Sequence, residues 1–357
     1  MKHRSRFVIG MDLGDKKSEA FVLDKKTGSC DRFEVRTTRK AMSEVFSTYE
    51  SSRVAIEVGT HSRWVSALLS DLGHEVVVAN ARQVRWIYAA DDKSDKTDAE
   101  KLGLLADFSP RLLAPIRHRS DACQKDLCVL QSRDTLVACR TQLVNHVRGT
   151  LKSFGHRLPT CSSRSFAKKS ANEVPKDLRP AILPVLTQIA SLTKQIDVLD
   201  KKIEALCATH QETSALRQIQ GVGPITALAF VLILEDHRRF RRSRQVGAYV
   251  GLCPRKNQTG ESDPELRITK AGNAHLRYLL VQASHYILGP HGPDTDLKRW
   301  GLALAARGHK NAKKRAVVAV ARKLSTVLHS LWRTGEDYEP LRLSNQRLKR
   351  KRTRMAG

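Results

Sequence analysis

No C-x-x-C pair occurs in this chain, and its seven cysteines are an odd number scattered over 357 residues. That pattern argues against a disulfide framework and against a zinc ribbon. Cys123, Cys128 and Cys139 share one helical region and are expected to be reduced packing residues, with a zinc site there as the alternative. Long apolar runs are missing too: the longest, Ala227 to Leu234, is under half of the ~20 residues that a membrane span needs. The basic start (Lys2, Arg4, Arg6) is followed by only five apolar residues before Asp12, too few for a secretory segment of roughly 7–15. A cytoplasmic protein without a membrane partner is expected. Acidic residues are scarce, 36 against 63 Lys and Arg, and the net charge of +27 suits a polyphosphate partner.

The charge is unevenly spread. Residues 1–110 hold 18 basic and 17 acidic side chains, so an excess of +26 lies beyond Pro110. The length allows two or three domains, and the charge places a near-neutral one before a strongly basic one.

The near-neutral part alternates strand and helix patterns. RFVIGMDLG (6–14) reads as a buried strand, SEAFVLD and DRFEVRTT as two more strands around a turn, and Lys40 to Ser51 as an amphipathic helix. RVAIEVG (53–59) is a strand ending near Glu57, WVSALLSDLG a helix stopped by Gly73, EVVVANA a strand, and Gln83 to Ala90 a helix. The order βββαβαβα is the ribonuclease-H-like arrangement, in which the first and fourth strands are neighbours. Asp12 and Glu57 would then converge at the carboxyl end of the sheet, where α/β proteins place their chemistry. KSDKTDAEKLGLLADF (93–108) adds Asp95 and Asp98, three apart on one helix face. Four carboxylates on one edge make a hard oxygen cage suited to Mg²⁺, and paired metals ~3.5–4 Å apart would clamp both oxygens of a phosphodiester exchange. Two plainer readings stand beside this one. Asp95 and Asp98 can be an N-cap and a first-turn carboxylate facing the helix dipole. GMDLGDKKSEAFVLD also looks like the phosphate loop of actin-like ATPases, although the further glycine-rich loops of that class are missing.

From Ile182 a heptad seam runs through Ile189, Ile196 and Ile203, with Val185, Leu192, Leu199 and Leu206 three residues after each. It predicts a two-stranded coil, either between protomers or against the preceding helix with its Leu127, Leu130, Leu136, Leu143 and Leu151 stripe. Leu158–Pro180, without periodicity, reads as a loop. LRQIQGVGPITALAF (216–230) places Gly221 and Gly223 between two apolar helices. This resembles a helix-hairpin-helix whose turn offers backbone N–H groups to a phosphate, or is simply a tight αα-turn. In 246–280 a polar loop carries hydroxyls at Thr259 and Ser262 around Gly260, with cations at Arg255, Arg267, Lys270 and Arg277. A hydroxyl backed by cations is what attack on phosphorus needs; an exposed basic loop has the same composition.

Taken together, DLG with Asp12, AIEVGT with Glu57, KTDAEKL with Asp98, GVGPITA, YVGLCPRKNQTGESDPELRITKAGNAHLR and KNAKKRAVVAVARKL resemble the DEDD transposases of the IS110 class, relatives of the Piv and MooV invertases. The resemblance runs from Arg6 to about Leu341, in the family's order. It implies an RNase-H-like (RuvC-like) domain over 1–115 whose Asp12, Glu57, Asp95 and Asp98 bind Mg²⁺. A helical coiled-coil region (116–210) would join it to a mainly α transposase domain (211–338) with the helix-hairpin-helix-like element, followed by a basic tail (339–357). It implies a prokaryotic, nucleoid-associated recombinase that excises and inserts a mobile element through a composite site in a dimeric or tetrameric homo-oligomer, guided in some members by a noncoding RNA. Where the family has serine before glycine, this chain has Thr259-Gly260. Threonine can attack phosphorus, but its β-branch restricts χ1. Thr259, Ser262 or a site that has lost its chemistry all remain open.

Lys310, Lys313, Lys314 and Arg315 precede an apolar helix and are expected to contact phosphates, although a solvated helix end would look the same. The tail from Arg342 to Arg354 has seven basic residues in thirteen and no acid, and is expected to be disordered and to bind nucleic acid nonspecifically. His285 and Trp300 read as core residues. The rival functions are a RuvC-like nuclease in which water attacks, and a decayed copy that only binds nucleic acid.

Overall fold

The computed structural model describes residues 5–84, 94–264, 266–308 and 310–346. They form two compact units, 1–118 and 119–357. The helix expected over Gln83–Ala90 lies almost entirely outside the described residues, as do 347–357 of the basic tail.

The first unit is a five-stranded sheet of β1 (Phe7–Asp12), β2 (Lys17–Asp24), β3 (Cys30–Arg36), β4 (Arg53–Glu57) and β5 (Glu75–Ala79), in the order β3-β2-β1-β4-β5. β1, β2 and β3 are antiparallel neighbours; β4 lies parallel to both β1 and β5. The first and fourth strands are therefore adjacent, as the strand order predicts. Helices α1 (Arg39–Phe46) and α2 (Ser62–Asp71) cover one face over Ile9, Met11, Val54 and Ile56. α1 ends five residues earlier than its amphipathic pattern suggests. The Ser47 and Thr48 hydroxyls bond back to the carbonyls of Glu44 and Val45 and close the helix there.

The opposite face is covered by α3 (Asp95–Phe108), whose Leu102 and Ala106 pack with Val8, Ala55 and Val77. Two glycines allow this contact. A Cβ on Gly10 of β1 would lie 2.0 Å from the Ala99 carbonyl and 2.3 Å from the Gly103 nitrogen, and one on Gly103 would lie 2.8 Å from the Phe21 ring.

The second unit is all helix apart from one polar hairpin. α4 (Asp121–Ser153) and α6 (Arg179–Thr209) form a long hairpin in which all four heptad isoleucines are buried. These isoleucines are thus buried in a helical hairpin of one chain. Of the second heptad set only Leu192 is buried; Leu186 and Cys207 take the places expected for Val185 and Leu206. Cys128 and Cys139 are exposed, contrary to the packing role expected of them, because they are eleven residues apart on the solvent face of α4. The stretch expected as a loop, 158–180, carries α5 (Phe166–Ser170), and its Phe166 and Val174 are buried against Val147, Leu151 and Ile182 at the hairpin's far end. Single large anchors in an aperiodic segment leave no periodic signal.

The short α7 (Glu212–Arg217) leads into α8 (Pro224–Leu234), where every side chain from Thr226 to Leu234 is buried. A helix apolar on all sides belongs at the centre of a core. Around it pack α4, α6, α10 (Ala274–Leu288) and α12 (Ala312–Thr334); the smaller α9 (Arg244–Tyr249) and α11 (Asp296–Ala305) rest on α12. Trp300 is part-buried beside this core as expected, whereas His285, expected inside, is exposed on α10. The part of the tail that is described is held: Leu343 and Ser344 backbone N–H groups donate to Asp296.

Gly10→Ala should destabilise the first unit by at least the ~1–3 kcal/mol typical of overpacking, read as a lowered urea midpoint with unchanged slope. His329 offers a pH test in the second unit. It is buried, with Nδ1 at the Ser243 hydroxyl and Nε2 donating to the His237 carbonyl, and burial lowers its pKa. Below the unfolded value near 6.5 the unfolded chain binds the proton first, so stability should fall as pH drops from 6.5 towards the lower folded value. His329→Gln should flatten that dependence in unfolding curves.

Candidate active site

Side chains on a strand alternate between faces. Ile9 and Met11 of β1, and Val54 and Ile56 of β4, face α1 and α2. Gly10 and Ala55 face α3, and so do Asp12 and Glu57, the next residues in that alternation. Met11 pairs with Ile56, which makes Asp12 and Glu57 neighbours at the carboxyl ends of parallel strands.

The direction of α3 brings its acidic start to the same edge. Its last turn lies at the other end of the sheet, where Arg53 Nη1, at the start of β4, donates to the Ala106 carbonyl at 3.1 Å and Lys25 pairs with Asp107. Its first turn is therefore at the carboxyl end. Ser94 is the N-cap, accepting from the Thr97 N–H at 3.2 Å, so Asp95 is the first helical residue rather than the cap.

Asp95 is exposed, Asp12 and Glu57 are half-buried, and Asp98 is 6% exposed. Asp98 Oδ1 is buried and, among the described residues, accepts no hydrogen bond. A buried carboxylate oxygen with no donor is costly and is relieved by a cation. The donors are all hard oxygens, the type Mg²⁺ takes. Among the described residues, however, no three His, Cys, Asp or Glu side chains stand close enough to hold a metal. The expected four-carboxylate cage is not preassembled; the residues share a face and an edge, with Asp98 already desolvated.

One pair at this edge has no signature in spacing. His61 Nδ1 accepts from the Trp64 indole at 3.0 Å, and its Nε2 lies 3.4 Å from Asp15 Oδ1. The tautomer follows from the indole, which can only donate. His61 in the segment after β4 is thereby tied to Asp15 after β1.

In the second unit the predicted hydroxyls sit on the hairpin. Thr259 and Ser262 exchange both backbone hydrogen bonds, 3.2 and 3.0 Å, around Gly260 at φ +56°. This is a two-residue turn with glycine in its first position. Arg255 N–H donates to the Arg267 carbonyl and Thr269 N–H to the Cys253 carbonyl, so the two arms pair down to the base. Thr259, Ser262, Arg255, Arg267 and Lys270 are exposed. Arg277 on α10 is engaged instead: its Nη1 donates to the Val250 carbonyl at 3.0 Å and the Ala271 carbonyl at 2.8 Å, clamping the base of the hairpin.

Gly221, at φ +97°, and exposed Gly223 form the turn before α8, with Gly223 as its N-cap. Lys310, Lys313, Lys314 and Arg315 are exposed at the start of α12, whose first turn holds no acid. Cations at the positive end of a helix dipole repel it, and an anion bound there removes the conflict.

A family model of DEDD transposases of the IS110 type matches residues 9–156, and one described as Transposase IS116/IS110/IS902 family matches 213–296. The transposase for insertion sequence element IS1111A of Coxiella burnetii is 27% identical over 317 residues, 85% of each chain. A probable family 20 transposase of Pseudomonas aeruginosa is 28% identical over 342 residues, 93% of this chain and 98% of its own. A putative transposase of Sinorhizobium fredii is 29% identical over 312 residues, 85% and 78% of the two chains. The chain belongs to the IS110 family of DEDD transposases. Its substrate is accordingly DNA.

Asp98→Asn replaces a buried carboxylate whose Oδ1 meets no donor among the described residues. Without divalent cation the variant should be at least as stable as the parent; the stabilisation of the parent by added Mg²⁺, read as a rise in Tm, should shrink or vanish in the variant.

Proposed function

We propose that this transposase excises and inserts its element by Mg²⁺-dependent DNA strand exchange, the first unit acting as a RuvC-like catalytic domain and the second supplying the nucleophile. The observation that carries this reading is the buried oxygen of Asp98, which meets no donor among the described residues, on the face and edge that Asp12 and Glu57 share. Asp95 completes the ligand set from the same first turn. When bound, Mg²⁺ supplies positive charge to the phosphate oxygens and keeps its remaining positions for them and for water.

The chain's own groups perform the exchange. The Thr259 hydroxyl oxygen forms a bond to phosphorus while the bond from phosphorus to a deoxyribose oxygen breaks. The proton that threonine loses ends on the departing sugar oxygen. A sugar hydroxyl of the second strand then attacks the threonine ester and restores the Thr259 hydroxyl. Ester replaces ester in both steps, so no ATP is needed. Arg255, Arg267 and Lys270 face the charge that develops on the pentavalent phosphorus. Arg277 holds the hairpin and adds charge at its base, and Ser262 across the turn is the alternative nucleophile. The N–H groups at Gly221 and Gly223, in a helix-hairpin-helix-like turn, and Lys310, Lys313, Lys314 and Arg315 hold flanking phosphates.

The +26 excess beyond residue 110 supports simultaneous binding of donor and target DNA and of an element-encoded noncoding guide RNA, since every phosphate neutralised releases counterions. The reaction needs carboxylates and hydroxyl at one phosphodiester, which a homo-oligomer supplies. In this reading 1–115 is the catalytic domain, 116–210 the helical spacer, 211–338 the transposase domain and 339–357 the nucleic-acid-binding tail of a nucleoid-associated protein.

Incubating protein, element RNA and labelled donor and target DNA with Mg²⁺ should give a covalent protein–DNA adduct on denaturing gels. Thr259→Ala should abolish it, Ser262→Ala should not, and Asp12→Asn should reduce it by at least a hundredfold. Cleavage without an adduct would mean that water attacks; an adduct from Thr259→Ser but none from the parent would mean that this copy only binds.

A further inference from the structure

Aromatic residues are few, 5% of the chain with six tyrosines. Among the described tyrosines, Tyr49, Tyr249 and Tyr338 are at least partly buried. The two exposed ones, Tyr278 at 58% and Tyr286 at 43%, both lie on α10. They are eight residues apart, with exposed Gln282 midway and His285 beside them. At 3.6 residues per turn these four side chains share one face, and the two tyrosines are about 12 Å apart along the axis.

The ends of this face meet the two elements already assigned to phosphate chemistry. At one end Tyr286 packs on the glycine turn: a Cβ at Gly221 would come 2.9 Å from its ring. At the other, Tyr278 follows Arg277, whose guanidinium holds the base of the hairpin that carries Thr259. α10 contains no Asp or Glu, and Arg255, Arg267 and Lys270 are exposed on the hairpin beside it. Asp134 of α4 reaches the start of this face, where it is paired with His275; beyond that pair, two rings, an amide and an imidazole flanked by cations suit nucleotides whose bases are unstacked.

We propose that the exposed face of α10 is a stacking platform for unpaired DNA bases, Tyr278 and Tyr286 each taking one base face while Gln282 and His285 reach base edges. The occupant is the DNA strand under exchange, because the platform is fixed by Arg277 to the hairpin whose hydroxyl attacks that strand. Rejoining strands between two duplexes also requires bases near the cut to unpair. This inference rests on the strand-exchange reading for the identity of the strand, and deepens it by assigning base contacts where only phosphate contacts were proposed.

The test is fluorescence anisotropy of the full-length protein with a short labelled DNA strand, the same strand bearing abasic residues, and the same sequence as RNA, over a range of salt. Tyr278→Ala/Tyr286→Ala should lose on the order of tenfold affinity per ring for the DNA strand, with the slope of log Kd against log salt unchanged. Tyr278→Phe/Tyr286→Phe should bind as the parent does, and the abasic strand should bind parent and alanine variant alike. Lys313→Ala/Lys314→Ala should instead flatten the salt slope. Equal DNA affinity of parent and alanine variant, or an alanine loss that persists on the abasic strand, would overturn the platform. A loss confined to RNA would overturn its assignment to DNA. The anisotropy assay measures strand binding without strand exchange, so failure of the adduct assay and failure of the platform are separate results.

Discussion

The close approach of α3 to β1 is the constraint on which the first unit depends. Gly10 and Gly103 let helix and strand backbones come nearer than any side chain would permit. That contact sets the height of the helix on the sheet, and Arg53 and Lys25 at the far end set its direction. Together they carry Asp98 into the interior at the carboxyl edge, where, among the described residues, one of its oxygens meets no donor. A buried polar atom without a partner is costly, so the packing of this contact offsets the cost of burying Asp98.

In the second unit the corresponding device is the enclosure of α8. Thr226 to Leu234 are buried all round, and the helices that enclose α8 include α10. α10 in turn grips the hairpin through Arg277. The hydroxyls of Thr259 and Ser262 therefore stand on an exposed turn whose base is tied to the core. Charge is arranged on the same principle. Exposed Lys and Arg gather at the hairpin and at the start of α12, whose first turn holds no acid.

Much of this was legible in the sequence. Alternation in RFVIGMD and RVAIE gave strands with Asp12 and Glu57 at their ends, and the pairing of Met11 with Ile56 makes them neighbours. The isoleucine heptads predicted an apolar seam, and all four isoleucines are buried in the helical hairpin. Other elements left no periodic trace. Phe166 and Val174 anchor an aperiodic stretch, and Cys128 and Cys139 differ from core residues only in the phase of their helix. His285 shows the same limit: an apolar helix predicts burial, but the face that meets solvent depends on what packs against the others.

The sequence by itself determined which chemistry is available: hard carboxylates early in the chain, hydroxyls on a glycine turn amid cations, a coil with a single apolar seam, and a net charge meant for polyphosphate. Those properties are local, set by residue type and by spacing of 2 or 3.6. Only the tertiary structure decided that α4 packs against the isoleucines of α6, that Asp98 is buried while Asp95 is not, that Arg277 binds the Val250 carbonyl, and that Tyr278 and Tyr286 stay exposed. Each of these depends on contacts between segments distant in sequence. Such contacts are selected by packing over the whole unit, and no local pattern of residues encodes them.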